Sequence, residues 1–140
     1  MLTRMRRTVR FRVDFTPVCS IGPGKVDLLE GIEHTGSLRQ AARALGMSYR
    51  RAWLLLDQLN HTFAEPVSTA TVGGQGGGGA ALTPFGMQIV RRYRKAERAI
   101  EALAREELQT IAARALSRPP RRARARRRRL ARSGAGESLD

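Results

Sequence analysis

Apolar and polar residues alternate from Thr8 to Phe15, with Val9, Phe11, Val13 and Phe15 on one face and Arg10, Arg12 and Asp14 on the other. That period predicts a half-buried strand, ended by Pro17. Ile21-Gly22-Pro23-Gly24 reads as a turn. From Lys25 to His34 the spacing becomes helical, with Val26, Leu28, Leu29 and Ile32 recurring, and Gly36 stops that helix.

The next stretch, SLRQAARALGMSYRRAWLLLDQLN, carries two further helix signals. Ser37 is an N-cap with Gln40 three residues on, a capping-box pattern. The helix it opens turns Leu38, Ala41, Ala42 and Leu45 inward, and its small alanines let another helix cross close by. Gly46 supplies a left-handed turn. Ser48 then caps a helix from Tyr49 to about Thr62. On a wheel of about 100° per residue, Ala52, Leu56, Leu59 and Phe63 form its buried stripe, with Arg50, Leu54, Asp57 and His61 opposite. Tyr49 and Trp53 fall on the flank. Trp53 is expected to pack against the first helix or the wing, while the Tyr49 hydroxyl is a candidate phosphate donor.

Two β-prone segments, Val67 to Val72 and Ala80 to Thr83, flank the glycine run Gly73–Gly79. This predicts a hairpin with a glycine tip, a shape that lets backbone amides come close to a phosphate or enter a minor groove. Thr83 followed by Pro84 is an N-cap with proline at the first helical position. A long helix is predicted from Pro84 to about Leu116. Within it Ile89, Tyr93, Ala96, Ile100 and Leu103 are spaced four, three, four, three, an a/d seam that wants a partner helix. The simplest partner is a second copy, so a homodimer is expected.

Charge sharpens this outline. The chain of 140 residues carries 26 Lys+Arg against 12 Asp+Glu, a net charge of +14. Arg118 to Arg132 hold nine arginines and no acid, so residues 1–117 retain 17 basic and 10 acidic groups, or +7. The foldable part is basic without its tail, which favours polyanions and nucleic acid first. The domain reading is 1–116 for a DNA-binding and dimerisation domain and 117–140 for a low-complexity tail, expected to be disordered in isolation. That tail either adds sequence-independent affinity through counterion release or has little effect.

Other chemistries find little support. Cys19 is the only cysteine, so no intrachain disulfide is possible. His34, His61 and Cys19 are too scattered for a metal site, and two unplaced histidines make no catalytic triad. The match to G-x-G-x-x-G at Gly74, Gly76 and Gly79 follows from glycine density, with no βαβ unit around it. No cofactor and no enzymatic activity are expected. The start lacks a signal peptide's apolar run, and no segment approaches the roughly 18 apolar residues of a membrane span. A cytoplasmic, nucleoid-associated protein is expected.

The stretches TGSLRQAARALGMSYRRAWLLLDQLN and GGQGGGGAALTPFG carry a resemblance. From about Gly22 to Glu107 the chain resembles the N-terminal winged-helix domain of the ModE-type molybdate-responsive transcription regulators, and more loosely the LysR-type helix-turn-helix. The resemblance implies DNA binding through the Ser48–Arg51 end, a wing on the backbone, and dimerisation through the strand and long helix. It departs from the full regulators after Leu116. Their C-terminal oxyanion-binding β-barrels have no counterpart in the arginine tail, so no position here inherits a molybdate ligand and no small-molecule effector is expected within this chain.

The fold class expected is mainly α with a small β component: a winged helix-turn-helix with an N-terminal strand, a wing hairpin and a long C-terminal helix. The function expected is sequence-specific binding of double-stranded DNA for transcription regulation. Candidate contacts are Ser37, Arg39 and Gln40 on the first helix of the pair, Ser48, Tyr49, Arg50, Arg51 and Leu54 on the second, and Gly74, Gln75, Gly76, Gly77 and Gly78 in the wing. Which of Arg50 and Arg51 reads a base and which a phosphate stays open. The alternatives are a non-specific architectural DNA-binding protein and a protein-interaction module using the long helix.

Overall fold

The computed structural model describes residues 9–72 and 79–115. The expectations on the glycine tip (73–78) and on the arginine-rich tail lie outside these residues. The order is β1 (Val13–Thr16), β2 (Cys19–Ile21), α1 (Pro23–Thr35), α2 (Leu38–Ala44), α3 (Tyr49–Thr62), β3 (Ser68–Thr71), β4 (Gly79–Leu82) and α4 (Pro84–Ala112). Two antiparallel two-stranded sheets, β1-β2 and β3-β4, flank the helices. The compact unit runs to Arg105; from Glu106 the chain forms a separate unit, described only through the end of α4 and residues 113–115.

The predicted N-terminal strand is shorter than its alternation. Only Val13–Thr16 pairs, with the unforeseen strand β2, after a turn at Pro17 and Val18. Phe11 leaves the ladder because Tyr93 takes it: the rings stack with centroids 4.4 Å apart, and the Tyr93 hydroxyl donates to the Phe11 carbonyl at 2.7 Å. A side chain 82 residues away has claimed a backbone acceptor that strand pairing would have used.

The core is built from Val26, Leu28, Leu29 and Ile32 of α1, Ala41 and Ala42 of α2, and Ala52, Leu56 and Leu59 of α3, closed by Val67 and Leu82 of the wing. Close approach of α1 to α2 depends on small residues. A Cβ on Gly31 would lie 2.9 Å from that of Ala41, inside van der Waals contact. Leu45, expected inward, is 39 % exposed; it is the non-helical C-cap of α2, so the helical spacing that placed it inward no longer holds there.

The caps follow the sequence with one exchange of partners. Ser37 Oγ accepts from the Gln40 N–H at 3.2 Å. The Ser37 N–H, which a capping box assigns to the Gln40 side chain, donates to Thr35 Oγ1 at 3.2 Å. Thr83 Oγ1 accepts from the Gly86 N–H at 3.0 Å and donates to the Pro66 carbonyl at 2.7 Å, so one residue caps α4 and ties it to the start of the wing. Helix α4 ends at Ala112, short of the Leu116 expected.

One ion-pair cluster bolts α4 to α1. The Arg94 guanidinium contacts Glu30 through Nε (2.8 Å) and Nη2 (3.0 Å), Asp27 through Nη2 (2.5 Å), and Glu97 through Nη1 (3.0 Å). Hydrogen bonding to Glu30, the largest effect, raises the Arg94 pKa further above an already high value, against an opposing effect of burial. This arginine is therefore structural, although the sequence counts it among basic groups available to a polyanion.

Candidate nucleic-acid interface

The end of α3 that faces away from the core is built by two local motifs in succession. Gly46, at φ +66°, closes α2: its N–H donates to the Arg43 carbonyl at 3.2 Å and the Met47 N–H to the Ala42 carbonyl at 3.0 Å. This is the pairing of a Schellman cap, and it needs a residue that tolerates the left-handed region. Two residues on, Ser48 Oγ accepts from the Arg51 N–H at 3.2 Å and starts α3. The turn and the cap together set the angle at which α3 leaves α2.

Arg50 and Arg51 are exposed, as are Arg39 and Gln40 of α2. The described ion pairs involve Arg12, His61, Arg94 and Arg105; Arg39, Arg43, Arg50 and Arg51 take part in none of them. The Arg39 guanidinium lies over the Tyr49 ring, 4.5 Å from its centroid. This cation–π contact joins the two helices on their solvent side and holds a positive charge beside the start of α3. The Ser37 and Ser48 hydroxyls both serve as caps, so their part here is to present the helix starts.

Trp53 departs from its expected place. It is 48 % exposed rather than packed away, with Tyr49 at 45 % and Leu54 at 51 %. The flank of α3 on which the wheel places Tyr49 and Trp53 is about half exposed to solvent.

The wing is fastened at its base on two sides. Asn60 Oδ1 accepts from the N–H groups of Val67 (2.9 Å) and Ser68 (3.1 Å), and its amide donates to Ser68 Oγ (3.1 Å). On the other side, the Ala80 N–H donates to the Gly36 carbonyl at 2.9 Å. Gly79 sits close to its neighbours: a Cβ there would displace Thr71 Oγ1 and come to 3.0 Å from the Gly36 carbonyl oxygen, pressing on the contact that the Ala80 N–H makes. The β3-β4 register, Ser68↔Leu82 to Thr71↔Gly79, then directs the strands toward the tip. Neither Asn60 nor the Gly36 carbonyl was singled out in the sequence. Asn60 left one signal, a polar residue beside the buried stripe of α3.

The α4 seam divides. Tyr93 is buried on Phe11 within the protomer, and Ile89 and Ala96 are half-buried. Ile100 and Leu103 remain 37 % and 59 % exposed. Beside the seam, Phe11, Val13, Phe15, Phe63, Phe85 and Ile89 line an apolar trough of about 400 Å³. Among the described residues no group of His, Cys, Asp or Glu is placed to hold a metal ion, and no helix is long and apolar enough to cross a membrane.

This architecture is that of the winged-helix transcription regulators. The crystal structure of a MarR family transcription regulator matches it with a TM-score of 0.52 over 84 % of this chain and 76 % of that one, at 20 % identity, a likeness of fold. In sequence the relatives include several proteins named ModE, some of them named as transcriptional regulators. The chain is 35 % identical to the molybdenum transport protein ModE of Azotobacter vinelandii over 69 % of its own length and 36 % of that protein. It is 42 % identical to the molybdenum-pterin-binding protein MopB of Rhodobacter capsulatus over 59 % of this chain and 31 % of the other. It is 35 % identical to the DNA-binding transcriptional dual regulator ModE of Escherichia coli K12 over 51 % and 27 %. The chain thus spans about a third of the length of these relatives. No family model matches it.

Proposed function

We propose that this chain is a sequence-specific, DNA-binding transcription regulator acting as a dimer. The observation that carries the reading is the solvent-facing, Ser48-capped start of α3, with Arg50 and Arg51 exposed and the wing fastened to the far end of the same helix. The start of α3 enters the major groove, where one arginine reads guanine through its two acceptors and the other holds a phosphate. Arg39 grips the flanking backbone, and the Gly74–Gly78 tip reaches the neighbouring backbone or minor groove. A ModE relative named as a DNA-binding regulator supports this reading.

Dimerisation proceeds through the apolar trough and the exposed Ile100 and Leu103 of α4. Ile89, Tyr93 and Ala96 back that surface from within the protomer. Two copies address half-sites about 34–36 Å apart, or a multiple of that, on a pseudo-palindrome.

Selection of genomic fragments by the purified protein at near-physiological salt tests this. An inverted repeat among the retained fragments is the expected result, and Arg50→Ala with Arg51→Ala abolishes retention. Uniform recovery without a motif overturns sequence reading and leaves an architectural role, which a similar salt slope on matched and scrambled DNA identifies.

A further inference from the structure

Resting on the DNA-binding reading, we propose that Trp53 and Leu54 read thymine, through contact with its C5-methyl group in the major groove. Helix α3 buries Ala52, Leu56 and Leu59 on one side. On the rest of its surface it carries two rows of side chains spaced four residues apart, Tyr49–Trp53 and Arg50–Leu54. Each row starts with a polar group at the capped end of the helix and continues with a large apolar one. Trp53 and Leu54 are about half exposed.

A single exposed leucine means little, because folded surfaces are largely apolar. Here an exposed tryptophan and an exposed leucine are adjacent, on the helix proposed to enter the groove. They continue the rows begun by Tyr49, which carries the Arg39 guanidinium, and by Arg50. A surface in which cationic and apolar groups alternate within one helical turn suits a ligand with the same alternation. Duplex DNA presents it: the guanine N7 and O6 acceptors call for arginine, and the thymine methyl is the apolar group on the major-groove edge. Four residues of helix rise about 6 Å, or one to two base-pair steps at about 3.4 Å each. Where Arg50 is the arginine that reads guanine, the half-site is therefore expected to hold a thymine within one to two base pairs of that guanine, or on the strand opposite it.

The test uses the full chain and the operator recovered by fragment selection. Each thymine is replaced in turn by deoxyuridine, which removes only the methyl group. At one or more positions per half-site this weakens binding by about three- to tenfold, the scale of burying one methyl. Trp53→Ala and Leu54→Ala weaken binding to the thymine operator and no longer distinguish thymine from uracil at the matching position. Unchanged melting of both variants shows that the loss is not unfolding. Trp53 is the only tryptophan, so its fluorescence gives a second readout: acrylamide quenches it in the free protein, and the operator protects it.

Equal binding of thymine and uracil operators at every position overturns the proposal, as does a tryptophan still open to quencher in the complex. In either case, continued loss of binding in the Arg50→Ala, Arg51→Ala protein leaves the DNA-binding reading standing. If no fragment is enriched at all, the sequence-reading regulator and this proposal fail together, and only the architectural role remains.

Discussion

Asn60 Oδ1 accepts hydrogen bonds from the backbone N–H of Val67 and of Ser68, at 2.9 and 3.1 Å, and thereby joins the last turn of α3 to the first residue of the wing. Val67 and Ser68 are both buried, so water cannot replace that acceptor. Asn60→Leu leaves two amides unsatisfied and is expected to cost about 2–4 kcal/mol, read by chemical denaturation. If the wing and α3 act as one reading unit, Asn60→Ala also lowers operator affinity more than its stability loss explains. An affinity unchanged in the folded variant contradicts that link.

Gly86 and Gly24 are both helical glycines with opposite surroundings. A Cβ on Gly86 collides with the Val67 carbonyl oxygen, whereas one on Gly24 meets nothing within 4 Å. Gly86→Ala is expected to destabilise by about 2 kcal/mol, because the backbone of the wing base must move. Gly24→Ala is expected to be neutral or to stabilise by up to about 1 kcal/mol through helix propensity. Thermal melts of the pair check the contrast.

Arg94 holds three carboxylates from two helices, and its geometry is that of a planar fork. Arg94→Lys keeps the charge but cannot engage Glu30 through two nitrogens while reaching Asp27 and Glu97. A loss of about 1 kcal/mol is expected for Lys. For Arg94→Ala it is about 2–3 kcal/mol, since the carboxylates are left facing one another, discounted from the buried limit because they are partly exposed. Denaturation of the two variants side by side gives the ranking.

Burial raises the Tyr93 pKa above the usual phenol value, with Glu97 adding to the effect. The folded state therefore favours the protonated hydroxyl that donates to Phe11. Its contribution is complete below the pKa of the unfolded phenol, about 10, and falls as pH rises through the higher folded value. Alkaline titration is expected to loosen the N-terminal segment above about pH 10. Tyr93→Phe costs about 1 kcal/mol at neutral pH and reduces the alkaline loss. An identical alkaline profile in that variant contradicts the assignment.

The structure agrees with the reading of the central segment, where α3 begins at Tyr49 and ends at Thr62 as its pattern predicts. That success has a local cause. Ser37, Gly46 and Ser48, and Thr83 in its capping of Gly86, act through hydrogen bonds and backbone angles within a few residues of themselves, so that effect is written in neighbouring letters. The domain boundary, the wing tip and the dimer seam stand as expectations that such patterns raise.

By itself, then, the sequence determined the caps at Ser37, Ser48 and Thr83, the turn at Gly46, the buried Ala52, Leu56 and Leu59 of α3, and the basic character of the foldable part. Tertiary structure alone decided which of those charges are free and which apolar groups are covered. Arg94 is spent on Asp27, Glu30 and Glu97, and Tyr93 on Phe11, while Trp53 is left open to solvent. A helical wheel ranks the faces of one helix, whereas exposure depends on what other elements lay against each face. Those partners lie as far as 82 residues away in the chain, beyond the reach of any local pattern.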